Sequence, residues 1–139
     1  MIILSVDYGD VRTGIAVCDK NEMLASPVTV IKQSDAQKLC ADIAEICKQY
    51  KVEMIVCGLP KNMDGSEGFR AAACKEFADL LHEETGLAVA MFDERLTTVS
   101  AHNYLNATNT RGKKRKETVD AVAATLILED YLTYRKNKR

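Results

Sequence analysis

Three acidic positions, far apart in the chain, are of a type and placement that could do chemistry together: Asp7, the adjacent Asp93-Glu94, and Asp120. Asp7 closes the apolar run Ile2-Ile3-Leu4-Ser5-Val6, and Asp93-Glu94 close Ala88-Val89-Ala90-Met91-Phe92. Asp120 falls in the first turn of the last helical stretch, close to the side that carries Ala123, Ala124 and Ile127. A carboxylate at the end of a buried strand is costly unless a metal ion, a hydrogen-bond donor or a cation answers it. Several carboxylates cannot crowd together ionised without a cation. Oxygen-only ligands point to Mg2+ or Mn2+ rather than zinc. Two such metals about 4 Å apart activate water and stabilise the leaving oxygen of a phosphodiester. Simpler roles compete: strand-end acids cap the next helix, and an Asp near a helix N-terminus answers the helix dipole. Convergence on one rim is what separates the readings, and the residues alone leave Asp93 and Glu94 equal candidates.

A second stretch, Gly58-Leu59-Pro60-Lys61-Asn62-Met63-Asp64-Gly65-Ser66-Glu67-Gly68, leaves a strand and enters a helix. Free N–H groups at such a helix start can hold a phosphate, with Lys61, Asn62 and Ser66 as further donors. A turn that needs glycine for its backbone explains it equally well. The spacing is not that of a Walker A loop, because no Gly-Lys-Ser/Thr follows. Arg12, Arg95 and the run Lys113-Lys114-Arg115-Lys116 are cations suited to positioning a phosphate backbone rather than reading bases. No zinc-finger or RRM signature accompanies them. His82 and His102 fall in helical stretches, and no Ser/His/Asp or Cys/His constellation is evident.

The elements that must position these groups follow from periodicity. Ile2–Val6 and Ile15–Val17 read as an antiparallel hairpin around a turn bracketed by Gly9 and Gly14. Pro27–Ile31 reads as a third strand with Pro at its first position. Ser34 is a plausible N-cap for a helix over roughly residues 35–50, with Ala36, Leu39, Cys40, Ile43, Ile46, Cys47 and Tyr50 on its apolar face. Glu53–Pro60 is the next strand. A second helix carries Phe69, Ala72, Ala73, Phe77, Leu80 and Leu81 on one face and ends at Thr85-Gly86. Ala88–Phe92 is the fifth strand. A helix from about Thr98 to Asn106, a break over Thr108–Lys116, and a last helix from about Glu117 complete the chain, the last with Val119, Val122, Ala123, Leu126 and Ile127 inward. The expected fold is α/β: a mixed five-stranded sheet, three antiparallel strands and then parallel crossovers, with helices on both faces. In it Asp7, Pro60 and Asp93-Glu94 lie at the carboxyl ends of strands, and those ends share one rim, where sites form, if the first, fourth and fifth strands are parallel neighbours.

The 139 residues suit one domain with a real core, and 47% apolar and 28% charged residues are ordinary for a globular protein. Five cysteines without a C-x-x-C pair argue for buried reduced thiols rather than disulfides or a zinc ribbon. No apolar run approaches membrane-spanning length, and nothing resembles a signal peptide, so a cytoplasmic protein with no membrane partner is expected. The net charge of −1 hides an asymmetry: residues 111–139 carry +5 and the remainder −6. A basic end on an acidic body suggests a polyanionic partner, although for Lys136–Arg139 a solubilising tail suffices.

Four motifs, in order, resemble the YqgF (RuvX) family: Asp7–Val17, Gly58-Leu59-Pro60-Lys61-Asn62-Met63-Asp64-Gly65-Ser66, Asp93-Glu94-Arg95-Leu96-Thr97-Thr98, and Val119-Asp120-Ala121-Val122-Ala123-Ala124. Members of that family are described as Holliday junction resolvases and as pre-16S rRNA nucleases. The resemblance implies one RNase H-like nuclease domain over residues 1–139. It implies catalytic acids and metal ligands at Asp7, Glu94 and Asp120, so that Glu94 is chosen over Asp93. It also implies cytoplasmic processing of the 5′ end of pre-16S rRNA, with ribosomal precursor particles as partners. Branched DNA is the rival substrate, and a non-catalytic nucleic-acid-binding domain is the rival role. Asp-x-Gly followed by Thr-Gly-x-Ala also resembles a phosphate-binding lobe of actin-like and sugar-kinase ATPases, but those need two lobes and the chain is too short for both.

Overall fold

The computed structural model describes residues 1–61, 64–93 and 112–138, with side chains described over 112–138 only from Val122 onward. The order of elements is β1 (Ile3–Asp7), β2 (Arg12–Cys18), β3 (Ala25–Lys32), α1 (Ala36–Tyr50), β4 (Met54–Leu59), α2 (Phe69–Thr85), β5 (Ala88–Asp93) and α3 (Gly112–Lys138). The strands form one sheet in the order β3-β2-β1-β4-β5. β1 pairs antiparallel with β2 and parallel with β4, which pairs parallel with β5. This is the mixed five-stranded sheet expected from the sequence. Its central strand, β1, is the one that ends in Asp7.

Each strand alternates between two cores, as side chains on a pleated strand must. Leu4, Val6, Ile15, Val17, Ile55 and Cys57 face α1 and α2 and pack with Leu39, Ile43, Phe77 and Leu81. Ile3, Ala16, Cys18 and Val56 face α3 and pack with Ala124, Leu128, Tyr131 and Leu132. α3 lies over β1, β2 and β3.

Several boundaries differ from expectation, each for a local reason. α1 is capped by Asp35 rather than Ser34: the Asp35 carboxylate accepts from the Gln37 and Lys38 amides, as an N-cap does. Pro27 is the third residue of β3, not the first. It stands on an edge strand beside a bulge, since Ile15 pairs with Thr29 and Ala16 with Pro27, leaving Val28 as the extra residue. α2 buries Ala71, Cys74, Phe77, Ala78 and Leu81, so its inward face is turned from the one expected, and Phe69 is 86% exposed. α3 begins at Gly112 instead of Glu117, which puts positions 113–116 on its first turns rather than in a loop. Its inward face runs through Ala124, Ile127, Leu128 and Tyr131. The helix expected from about Thr98 to Asn106 lies outside the described residues. All five cysteines are free and buried, and no helix among the described residues is long and apolar enough to cross a membrane.

Candidate active site

Asp7 is half-buried at the last position of β1. Alternation puts it on the face of Ile3 and Ser5, the face that α3 covers. Its antiparallel partner is Gly14, which has no side chain to fill the space beside the carboxylate. Arg12, also half-buried, stands two residues before Gly14 on the same face of β2. The charged end of the central strand is thus bordered by a glycine and a guanidinium on the neighbouring strand.

The position of α3 against this corner is fixed by two sets of contacts. The Ser5 hydroxyl is fully buried and donates to the Ala124 carbonyl at 2.6 Å, which satisfies it. At the far end of α3, Arg135 Nε donates to Glu22 at 2.8 Å, and the Met1 ammonium takes the other oxygen of the same carboxylate at 3.1 Å. α3 therefore runs antiparallel to β1, with its N-terminal half toward Asp7. Position 120 lies four residues before Ala124, a helical rise of about 6 Å. Asp7 lies two residues beyond Ser5, a strand rise of about 6.6 Å. The backbone brings position 120 level with Asp7 on one face of the sheet.

The acids at the end of β5 divide. Val89 and Met91 pack in the α1–α2 core, and Ala90 and Phe92 in the α3 core. Asp93, paired with Leu59, follows Met91 onto the α1–α2 face, opposite to that of Asp7. Glu94, Arg95 and Asn62 lie outside the described residues. Among the described residues no three His, Cys, Asp or Glu side chains form a group able to hold a metal ion.

The glycine-containing loop is organised by its own contacts. Gly65 has φ of 89°, the left-handed region that glycine adopts readily. Ser66 is exposed, and both its amide (2.9 Å) and its hydroxyl (2.6 Å) donate to the Asp64 carboxylate. Lys61 is half-buried just after β4, and Glu67 is paired with Lys75. Gly68 caps α2 without a side-chain hydrogen bond. Burial pushes the Cys40 and Cys47 thiols up to about 11, which leaves them protonated and poor nucleophiles. His82 is exposed, with Nδ1 2.7 Å from the Leu87 carbonyl.

The sequence model of a family described as "RuvX: Holliday junction resolvase" matches residues 1–134. The chain belongs to the RuvX family. Similar proteins of full length include one from Agathobacter rectalis named "Putative pre-16S rRNA nuclease", 44% identical and covering 100% of this chain and 99% of its own. Another of the same name, from Clostridium tetani, is 42% identical and covers 99% and 100%. Among solved structures, Thermus thermophilus RuvC in complex with a Holliday junction substrate superposes with a TM-score of 0.63 at 13% identity, covering 99% of this chain and 96% of its own. The fowlpox virus Holliday junction resolvase does so with a TM-score of 0.57 at 14% identity, covering 96% and 99%. At these identities the likeness concerns the fold, which is the RNase H-like one.

One contact of this RuvX-family chain was not visible in the sequence. Arg70, on the first turn of α2, donates to the Tyr8 carbonyl at 2.6 Å and to Asp10 at 3.0 Å. The Tyr8 ring lies flat on Phe77, with centroids 4.1 Å apart. Burial, and then the Asp10 charge, raise the Tyr8 pKa, so its phenol stays neutral. Arg70 and Asp10 are 60 residues apart, and no local pattern announces such a pair.

Proposed function

We propose that this chain is a metal-dependent nuclease that hydrolyses a phosphodiester in structured RNA, and that its substrate is the 5′ end of pre-16S rRNA in the cytoplasm. The observation that carries the reading is the level placement of Asp7 and position 120 on one sheet face, beside the side-chain-free Gly14. The full-length relatives named for pre-16S rRNA support the substrate. Asp7, Glu94 and Asp120 form the ligand set. Glu94 is favoured over Asp93 because Asp93 turns to the other face. Carboxylate oxygens alone suit Mg2+ or Mn2+. Such ions, when bound, supply an activated water and a charge to receive the leaving oxygen.

The chain's own residues do the rest. Asp7, at the end of the central strand, gives the site its fixed point. Arg12, with its guanidinium on the same face, orients the phosphate backbone, and Arg95 and Lys113, Lys114, Arg115 and Lys116 extend that hold. Lys61, Asn62 and Ser66 serve as further donors to the phosphate backbone. Ribosomal precursor particles would present the RNA.

The test is cleavage of matched RNA and four-way-junction DNA with Mn2+ or Mg2+, beside the Asp7→Asn protein. Cleavage of RNA that is divalent-dependent and falls by about a hundredfold or more in Asp7→Asn is expected. Cleavage that persists unchanged in Asp7→Asn refutes catalysis by the acids. The family description favours one second reading, resolution of branched DNA. That activity needs two coordinated cuts and hence a two-fold dimer, which gel filtration with junction DNA would reveal.

A further inference from the structure

The corner that carries Asp7 is continued by a turn, and that turn is held from outside its own hairpin. The holder is Arg70, the second residue of α2. A cation there faces the positive end of the helix dipole, an unfavourable place for it. Its partner Asp10 is 85% exposed and Arg70 itself 43%, and an ion pair so open to water adds little to folding. Stability therefore does not explain the residue.

Its second bond does something more specific. One guanidinium nitrogen donates at 2.6 Å to the main-chain carbonyl of Tyr8, the residue directly after Asp7. The other donates at 3.0 Å to Asp10. The guanidinium also lies 6.0 Å from the Tyr8 ring centroid, and that ring stacks on Phe77, two turns further along the same helix. Backbone, side chain and ring of the turn are thus all referred to α2. Between the two acceptors, Gly9 is so closely approached that an added Cβ would stand 2.2 Å from the Arg12 carbonyl oxygen. α2 in turn begins at the end of the Gly58–Gly68 loop.

We infer that Arg70 is a positioning residue, which locks the Tyr8–Asp10 turn to the start of α2 and so holds Asp7 and Arg12 at a fixed offset from the glycine-containing loop. This rests on the nuclease reading above. Its use is geometric: catalytic groups act only when held near the productive arrangement, and a misplacement of 1 Å costs up to about a hundredfold in rate. Arg70 itself touches neither metal nor reacting atoms in this role. Its planar fork is what takes two acceptors at once, a geometry lysine lacks.

The experiment uses the full chain and four proteins: wild type, Arg70→Ala, Arg70→Lys and Arg70→Gln. Amide hydrogen exchange is read at Gly9, Asp10 and Val11 against Val6 and Ile15 in the flanking strands. Mn2+-dependent RNA cleavage is read as kcat and KM separately. Arg70→Ala is expected to speed exchange in the turn by about tenfold while Val6 and Ile15 stay protected. It is expected to lower kcat by about tenfold or more with KM within about twofold, because ground-state binding is not what it removes. Arg70→Lys should fall with Ala. If Arg70→Ala does not fold, Arg70→Gln, which keeps the stem but not the fork, carries the same expectation.

Full rescue by lysine, or a loss carried by KM alone, would make Arg70 a simple charge for the phosphate backbone and overturn the inference. Wild-type cleavage matched by Arg70→Ala, with unchanged exchange, overturns it too while leaving the nuclease intact. A wild-type protein that cuts nothing instead overturns the nuclease reading and, with it, the positioning role, whatever the exchange shows.

Discussion

Gly9 shows how narrow the tolerance is at the end of β1. The turn from Asp7 to Arg12 folds back so tightly that a methyl group on Gly9 would sit 2.2 Å from the Arg12 carbonyl oxygen, well inside van der Waals contact. That oxygen is backbone, not a flexible side-chain tip, so the strands themselves would have to move. Gly9→Ala is expected to destabilise the fold by about 2 kcal/mol or more, seen as a lower urea midpoint at unchanged slope. An unchanged midpoint would mean that the turn relaxes without effort and does not fix Asp7. Gly14 plays a different part: its value is the missing side chain next to Asp7. Gly9 was legible as a turn glycine from the sequence, whereas Gly14, expected to bracket the same turn, stands inside β2. Which of them is sterically obliged was not legible, because the collision is with a carbonyl three residues on.

Elements are placed by few contacts, and α3 is the clearest case. Its middle is tied to β1 by the Ser5–Ala124 bond, and its end by Glu22. Glu22 accepts from Arg135 and from the N-terminal ammonium, and these hold its carboxyl down at about 2 against an ordinary 4.5. A carboxyl depressed on folding adds stability above its unfolded pKa, where both states are ionised. Between about 4.5 and 2 the unfolded chain binds the proton first, so stability falls with pH, and below about 2 the contribution is gone. Glu22→Gln is expected to cost on the order of 1–3 kcal/mol at pH 7, as for a hydrogen-bonded charge that is lost. The gap in Tm from wild type should narrow as pH is lowered from about 5 to 3. A gap of constant size across that range would show that the clamp does not anchor α3. The pairing of Glu22 with Arg135 spans 113 residues and two motifs that look like an ordinary turn and a basic tail. Periodicity finds elements such as α3, but the side chains that set their angle and register come from tertiary contact, which a linear pattern does not encode. The same reason explains the rotated face of α2: with alanines on several sides, Ala71, Cys74 and Ala78 were as good a stripe as Ala72, Ala73 and Leu80, and only the sheet chose between them.

On the scale of the whole molecule the sheet order was legible, because three antiparallel strands followed by helix–strand units leave few topologies, and right-handed crossovers remove most of those. The rim followed from that order, and so did the placing of Asp7 at the end of the central strand. The face that Asp93 takes was not legible, since that parity is set by the core. The charge asymmetry belongs to this scale as well. The last 29 residues carry +5, but α3 spreads its basic residues to its two ends, separated by about 40 Å of helix. Positions 113–116 stand at the end toward Asp7, and Arg135, Lys136 and Lys138 at the end toward Glu22, where Glu22 already engages Arg135. An RNA seated at the rim should therefore meet only the first group. With Asp7→Asn protein to prevent cutting, binding measured from about 50 to 300 mM KCl should weaken log-linearly. Alanine at Lys113, Lys114, Arg115 and Lys116 together should flatten the slope by about 3 if all four release counterions. Alanine at Lys136 and Lys138 should change it by less than about 1. Equal flattening by both sets would mean that the basic end attracts RNA as a diffuse field, and that the acidic rim is not where the strand is seated.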